Sequence, residues 1–441
     1  MTIKLFVYLS GENTPVNEEG TKMKQNRFLI FAAALAVFLF CIGCGNVTQK
    51  VKSFVSIDAF NIHQVITKDS ATSRTIMWQS NTEEKDAYVE YRKNKMGAAI
   101  QMQKERINDK FTDDGKTTWV HTVTLKNLEP GAEYEYRLAH GDSRSSWYKL
   151  NTAKGNSFKA LIFPDSQSAD YKTWEDVAMP AWKRNQDAQF FMIMGDLVDN
   201  GEHSYQWNEW FSRIRPMITQ IPVAPVLGNH ETYNLKWKER MPLAYLHYFQ
   251  LPEGAPEKYK NQFYSFDYGD VHFVVLNSIM WEMDQFQPNM LAAQKEWFRR
   301  DMEQTKKKWK VVLMHRDIIL YAYGDRAGSH PERFDDEGYI FMPWFDRYGV
   351  DVVLTAHLHT YRNRGHIYNF KRNPRGPLYI LTGIAGDVRY PGRWKRSPWD
   401  LKVAPQPETN NYMVLEADDN QLKLSAYLPD GKKFDEEVLR K

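Results

Sequence analysis

The chain has 441 residues, 42% of them hydrophobic and 26% charged, with 14 Trp, 24 Tyr and 24 Phe. So much apolar material excludes a disordered chain, and the length leads to an expectation of more than one domain. The 58 Lys and Arg against 55 Asp and Glu give a net charge of +3, too balanced for a nucleic-acid binder held by phosphate neutralisation. Both cysteines, Cys41 and Cys44, lie near the N-terminus, which excludes a disulfide framework or a thiolate metal site in the body of the chain.

Residues 28–42 (FLIFAAALAVFLFCI) form an uncharged apolar run preceded by Lys24 and Arg27. This is the pattern of a secretory signal, and it is short for a membrane span. The run leads into Cys41-Ile42-Gly43-Cys44, which resembles a bacterial lipobox. That resemblance implies lipidation of Cys44 as the first mature residue and a membrane partner reached through the lipid. An uncleaved anchor is the alternative, and either places the rest of the chain outside the cytoplasm. Gly45 lacks the Asp associated with inner-membrane retention, so the outer membrane is the expected location. Met23 directly precedes the signal and is the expected start. We therefore read 1–43 as the signal region, 44–52 as a tether, 53–155 as a first domain and 156–441 as a second.

In the first domain, short alternating segments at Thr75–Gln79, Ala87–Arg92, Trp119–Leu125 and Tyr134–Leu138 are separated by turn-rich stretches such as Leu128-Glu129-Pro130-Gly131. This predicts an antiparallel β-sandwich. VTLKNLEPGAEYEYRL followed by WYKLNTA resembles the end of a fibronectin type III fold. No ionisable cluster stands out here, so the module is read as structural.

From about Ser157 the pattern changes to short apolar runs, Phe158–Phe163, Phe190–Met194, Val223–Leu227, Val311–Met314 and Val352–Leu354. They alternate with helix-like stretches at Trp174–Arg184, Tyr205–Ile218, Gln294–Thr305 and Tyr339–Tyr348, the signature of an α/β domain with parallel central strands. Asn411–Ala417 and Gln421–Leu428 read as a closing hairpin. His272 alternates within the run VHFVV and is read as structural.

Residues able to bind metal fall directly after these runs: Asp165 and Gln167, Asp196 and Asp199, Asn229, His230 and Glu231, His315, and finally His357 and His359. Open α/β sheets place ligands at the carboxyl ends of their strands, so five strand ends would deliver these groups to one crevice. Singly each is more readily read as a turn, a cap or a satisfied polar group than as a ligand; the ordered combination is what points to a site.

The residues PDSQ, GDLVDNG, GNHE, LMHR and AHLH resemble the five-motif signature of the calcineurin-like metallophosphoesterases. With the preceding sandwich and the closing hairpin, the chain is similar to the two-domain purple acid phosphatases. The resemblance implies an α/β fold, a four-layer sandwich of two mixed sheets flanked by helices, preceded by an all-β fibronectin III/Ig-like sandwich. It further implies hydrolysis of phosphate esters at a dinuclear metal centre. On that pattern Asp196 bridges the ions, Asp165 and His359 complete the first, and Asn229, His315 and His357 complete the second. His230 would contact phosphate and protonate the leaving group, with Glu231 as its orienter, a role suited to imidazole. Arg316, His330, Tyr361, Arg362 and Arg389 are further candidates for holding phosphate or substrate.

The chemistry is consistent with this set. Paired cations about 3.5–4 Å apart need a shared anionic ligand, and nitrogen and oxygen donors without thiolate suit iron, manganese or zinc rather than calcium. In an extended His-x-His the side chains point to opposite sides, so a bend must aim His357 and His359 at neighbouring ions. Three positions depart from the family pattern. Asp199 stands where purple acid phosphatases carry Tyr, so the charge-transfer colour is not expected. Gln167 stands where Asp-x-His is common, leaving a weak donor at the first ion. Ala356 replaces the usual Gly, with no ligand lost.

The reading is thus a lipid-anchored phosphomonoesterase acting on a phosphate-ester substrate. A phosphodiesterase or nucleotidase is the alternative within the class, decided by loops such as Tyr233–Lys260 and Ala322–Glu337. A non-catalytic surface binding lipoprotein is the alternative outside it.

Overall fold

The computed structural model describes residues 57–441 except 94–95, 102, 108–110, 321–329, 331, 391–394 and 406–408. The signal region 1–43 with Met23 and the apolar run 28–42, Cys44, the tether 44–52, and residues 322–329 and 331 of the loop 322–337 lie outside the described residues. Among the described residues no helix is long and apolar enough to cross a membrane.

The first nine strands are β1 (Phe60–Val65), β2 (Arg74–Ser80), β3 (Ala87–Lys93), β4 (Met96–Gln101), β5 (Gln103–Ile107), β6 (Thr118–Leu125), β7 (Glu133–His140), β8 (Ser143–Arg144) and β9 (Tyr148–Asn151). Along β7, Tyr134, Tyr136 and Leu138 are buried while Glu133, Glu135 and Arg137 face outward, the period of two that a half-buried strand requires. These residues close on Ile62, Ile76, Trp78, Val89 and Val123 in one core. β1, β2, β5 and β6 form one side of the sandwich, and β3, β4, β7, β8 and β9 the other.

The second half contributes β10 (Phe158–Phe163), α1 (Lys172–Arg184), β11 (Phe190–Ile193), α2 (Ser204–Arg213), β12 (Val223–Pro225), β13 (Tyr264–Tyr268), β14 (Val271–Val275), α3 (Met290–Gln304) and β15 (Trp309–Leu313). It continues with α4 (Asp336–Tyr348), β16 (Val352–Thr355), β17 (Tyr361–Tyr368), β18 (Lys371–Arg372), β19 (Leu378–Thr382), β20 (Lys402–Val403), β21 (Tyr412–Ala417), β22 (Gln421–Tyr427) and β23 (Lys433–Arg440). The closing hairpin thus carries a third strand. One sheet runs β23-β22-β21-β10-β11-β12-β1-β2-β6-β5, the other β13-β14-β15-β16-β19-β17-β18 with β20 on β17. Each has a parallel centre, β10 to β12 in the first and β14, β15, β16 and β19 in the second, with antiparallel edges.

The sandwich is built onto the first sheet: β1 pairs in parallel with β12 at Val65 and Val223, and Val55–Lys441 make one compact unit. Strand alternation then sorts the layers. Val311, Leu313, Val352 and Leu354 join Ala160, Ile162 and Met192 between the two sheets, while Phe163, on the other face of the first sheet, packs edge-on against Trp174 of α1, which stacks on Trp210 of α2. Val312 and Val353, one residue out of phase, pack instead against Trp297 and Phe298 of α3 and Phe345 of α4. The helix expected over Tyr205–Ile218 breaks at Ile214 into α2 and a single turn, Arg215–Ile218. Pro216 causes the break, because its ring blocks continuation from the preceding turn and it has no N–H to donate.

His272 on β14 is 5% exposed and lies between two carboxylates, with Nδ1 2.7 Å from Asp267 and Nε2 2.8 Å from Asp301. Burial opposes its charge, but the two acids outweigh burial and push its pKa up to about 9. A folded-state value above the unfolded one stabilises the fold fully below pH 6.5 or so, and that contribution is lost as pH rises through about 9. We expect urea unfolding of wild type to lose on the order of 2 kcal/mol between pH 6.5 and 9.5 from this group, and the His272→Gln variant to lack that loss. Parallel pH profiles for the two proteins would contradict the assignment.

Candidate active site

All five motif groups follow parallel strands: Asp165 after β10, Asp196 after β11, Asn229 and His230 after β12, His315 after β15, and His357 and His359 after β16. Potential ligand atoms of Asp196, His315 and His357 lie within 4.8 Å of one another, as do those of Asp165, Asp196 and His359. Asp196 belongs to both groups. Nε2 of His315 is 3.1 Å from Asp196 Oδ2 and 3.1 Å from Asn229 Oδ1, and Nε2 of His359 is 3.0 Å from Asp165 Oδ2.

The tautomers follow from the opposite side of each ring. His315 Nδ1 is 2.9 Å from the Met194 carbonyl and His359 Nδ1 is 2.7 Å from the Val388 carbonyl. A carbonyl only accepts, so both Nδ1 atoms carry the hydrogen and each neutral ring turns a lone pair on Nε2 toward oxygen acceptors. Such an arrangement is repulsive unless positive charge lies between the partners. Burial disfavours a charged His315, yet Asp196 raises its pKa to about 9. Burial likewise opposes ionisation of Asp196, but the imidazoles of His315, His230 and His357 hold it well below the ordinary carboxylate range. A metal ion supplies the same charge, and donors bonded to it at about 2.0–2.2 Å sit roughly 3 Å apart, the spacing seen here. The residues therefore fit a cation.

Backbone geometry makes the convergence possible. Gly195, Asp196, His357 and His359 have φ of 97°, 48°, 76° and 52°, so the His-x-His segment is bent rather than extended, as its task requires. A Cβ on Gly228 would collide with the amide and carboxylate of Asp196, and one on Gly195 with the His315 ring. Only glycine lets these loops approach so closely.

Glu231, expected to orient His230, does something else. Its buried carboxylate accepts the amides of Asp196 (3.1 Å), Leu197 (2.8 Å), Val198 (3.3 Å) and Gly228 (2.8 Å). It pins the loop after β11 to the loop after β12 and is a positioning residue. Asp199 orients His230 instead: its carbonyl is 2.7 Å from His230 Nδ1 and its carboxylate 3.4 Å. Burial disfavours charge on His230, but Asp196 and Asp199 raise its pKa to about 10. Gln167 is fully buried, and neither amide atom has a hydrogen-bond partner among the described residues, so its amide oxygen is open to a water, an ion or a ligand.

A cavity of about 960 Å³ opens over these groups, lined by Asp196, Asp199, Asn229, His230, His357 and His359. Tyr233, Trp237 and Tyr390 also line it; the motifs did not reveal them, although Tyr233 and Trp237 fall in the loop singled out for specificity. The proposed phosphate clamps are placed otherwise. Tyr361 is buried, donating to Asp435 at 2.8 Å, and Arg362 is buried against Asp400 at 2.5 Å. His330 pairs with Glu332 at the surface. Arg316 pairs with Glu282 and lies 3.8 Å from Glu337. Arg389 sits between the lining residues Val388 and Tyr390 and donates to the Gly386 carbonyl at 3.0 Å. Existing partners engage these side chains, and none of the five lines the cavity.

Removing the Glu231 carboxylate strands buried amides, each costing about 1 kcal/mol or more. We expect Glu231→Ala to lower unfolding free energy in urea by about 3 kcal/mol or more. A loss within about 0.5 kcal/mol would contradict the positioning role.

Residues 158–361 match the calcineurin-like phosphoesterase family, and residues 59–152 match the purple acid phosphatase N-terminal domain. Acid phosphatase type 7 of Mus musculus is 26% identical over 329 residues, covering 66% of this chain and 70% of that protein. Purple acid phosphatase 21 of Arabidopsis thaliana is 28% identical over 287 residues, covering 63% of this chain and 60% of that one. Among solved structures, the purple acid phosphatase PPD1 from yellow lupin (Lupinus luteus) seeds shares the fold, with a TM-score of 0.70 at 19% identity over 87% of this chain and 74% of that one. The chain thus carries a calcineurin-like metallophosphoesterase domain behind a purple acid phosphatase N-terminal domain, and is a purple acid phosphatase-like metallophosphoesterase, a hydrolase of phosphoric esters.

Proposed function

We propose that the protein is an extracytoplasmic phosphomonoesterase, tethered to the membrane by lipid on Cys44, that works with two ions drawn from iron, manganese and zinc. The observation that carries the metal assignment is the facing of Nε2 lone pairs on His315 and His359 toward the carboxylates of Asp196 and Asp165. Asp165, Asp196 and His359 hold one ion, with the Gln167 amide oxygen as a weak further donor. Asp196, Asn229, His315 and His357 hold the other. The absence of thiolate from both sets supports the three metals named.

Bound ions of this kind acidify water and neutralise the charge of an attacked phosphate. The protein's own groups do the rest. Asp199 fixes the His230 ring through Nδ1, leaving Nε2 to give a proton to the departing alkoxide. Glu231 keeps the loops bearing Asp196 and His230 in register. Further support comes from the Asp196 carboxylate, whose Oδ1 accepts the His230 amide at 2.9 Å and so couples the shared ligand to the proton donor.

Two variants separate the roles. Asp196→Ala is expected to lose both bound metal, counted by elemental analysis, and hydrolysis of a phosphate monoester. His230→Ala is expected to retain two metals per chain while kcat falls about 10²- to 10⁴-fold. A fully active Asp196→Ala protein, or turnover of a diester in preference to its matching monoester, would overturn this reading.

A further inference from the structure

We propose that Trp237 is a stacking platform for a flat aromatic group on the substrate, so that the preferred phosphomonoesters carry an aryl group or a nucleobase close to the phosphorus. This rests on the phosphomonoesterase reading above and names its substrate class. Trp237 lines the cavity and, at 58%, is the most exposed large hydrophobic side chain among the described residues. Its backbone is left-handed, with φ of 58°, a conformation that is costly for a bulky side chain. Such strain is ordinarily offset by packing, but an exposed indole gains little of it. Strain kept without a folding benefit is the mark of a functional position.

The surrounding turn is built to hold that conformation. Asn234 Oδ1 accepts the amides of Lys236 (2.8 Å) and Lys238 (3.0 Å), and the Asn234 carbonyl accepts the Trp237 amide at 2.8 Å. Asn200 donates to the same carbonyl at 2.5 Å, and Glu202 accepts the Leu235 amide at 2.9 Å. The tip is thereby tied to the segment that follows Asp199, the residue orienting His230.

Ring geometry says which part of a substrate would meet the indole. The His230 and Trp237 ring centroids are 5.8 Å apart with planes at 87°, and Tyr233 is 5.5 Å from His230 and 6.0 Å from Trp237. The indole therefore adjoins the ring assigned to the leaving oxygen, so the part of a substrate it would meet is the group that oxygen carries. Across the cavity lining, Tyr390 stacks on His359 at 5.0 Å. Flat π-systems are recognised by such faces with little regard to their hydrogen-bonding edges.

The test uses the metal-loaded full chain and two matched substrate pairs, AMP with ribose 5-phosphate and phenyl phosphate with cyclohexyl phosphate. Within the first pair the reacting oxygen is the same and only the base differs. Wild type should favour the aromatic member, and Trp237→Ala should lower the kcat/KM ratio within a pair about tenfold, chiefly through KM, while Trp237→Phe restores it. A response confined to the first pair identifies a nucleobase, and one confined to the second an aryl group. Ratios unchanged by Trp237→Ala, with turnover intact, would overturn the stacking role and leave the phosphomonoesterase reading standing. Absence of turnover of all four esters by the metal-loaded wild type would overturn both.

Discussion

The carboxylate of Asp196 is enclosed by protein and still held ionised, because His315, His230 and His357 surround it while the amide of His230 bonds its Oδ1. Burial of an unpaired charge is costly, and the cost is removed only by positive charge close by. The ring tautomers prepare for that charge. Met194 and Val388 engage the Nδ1 hydrogens of His315 and His359, so the free side of each ring faces a carboxylate. Asp196 lies in both ligand groups, and the rest of the site is arranged around that sharing.

Holding the carboxylate there demands unusual backbone. Asp196, His357 and His359 are left-handed, and non-glycine residues persist in that region only where the surroundings determine them. The parallel strands of two sheets supply the determination: the Ala356 amide bonds the His315 carbonyl at 2.7 Å, and the Ser166 and Gln167 amides bond the Asp196 carbonyl at 3.1 and 3.0 Å. Glu231 adds its clamp between the loops after β11 and β12. A site made of loops is thus as firm as the sheets beneath it, which is what positioning of reacting groups requires.

Much of this was legible from the amino-acid order. The central strands are short runs rich in Val, Leu, Ile and Phe and almost wholly buried, so their ends, and the candidate ligand residues beyond them, could be located without coordinates. Strands carrying buried polar residues could not. β1 contains His63 and Gln64, both buried and bonded to the carbonyls of Tyr248 and Thr219. β17 contains Arg362, Asn363 and Arg364, whose partners Asp400, Asp435 and Asp317 lie distant in sequence. Hydropathy cannot reveal a strand whose burial depends on such pairings. The same reason explains why Tyr361 and Arg362 read as candidates for binding substrate. The role of Glu231 was hidden differently, since adjacency to His230 suggests contact, whereas the single-turn helix His230–Thr232 sends the two side chains apart. The aromatic rim depended on a turn whose conformation is visible only in three dimensions.

The central claim is that one carboxylate joins two metal ions. The most direct measurement is electron paramagnetic resonance of the protein loaded with manganese(II) at two ions per chain. Ions sharing Asp196 lie close enough for their spins to couple, and the account predicts an exchange-coupled spectrum that Asp196→Ala abolishes. A spectrum of isolated manganese(II) ions from the fully loaded wild type would contradict it.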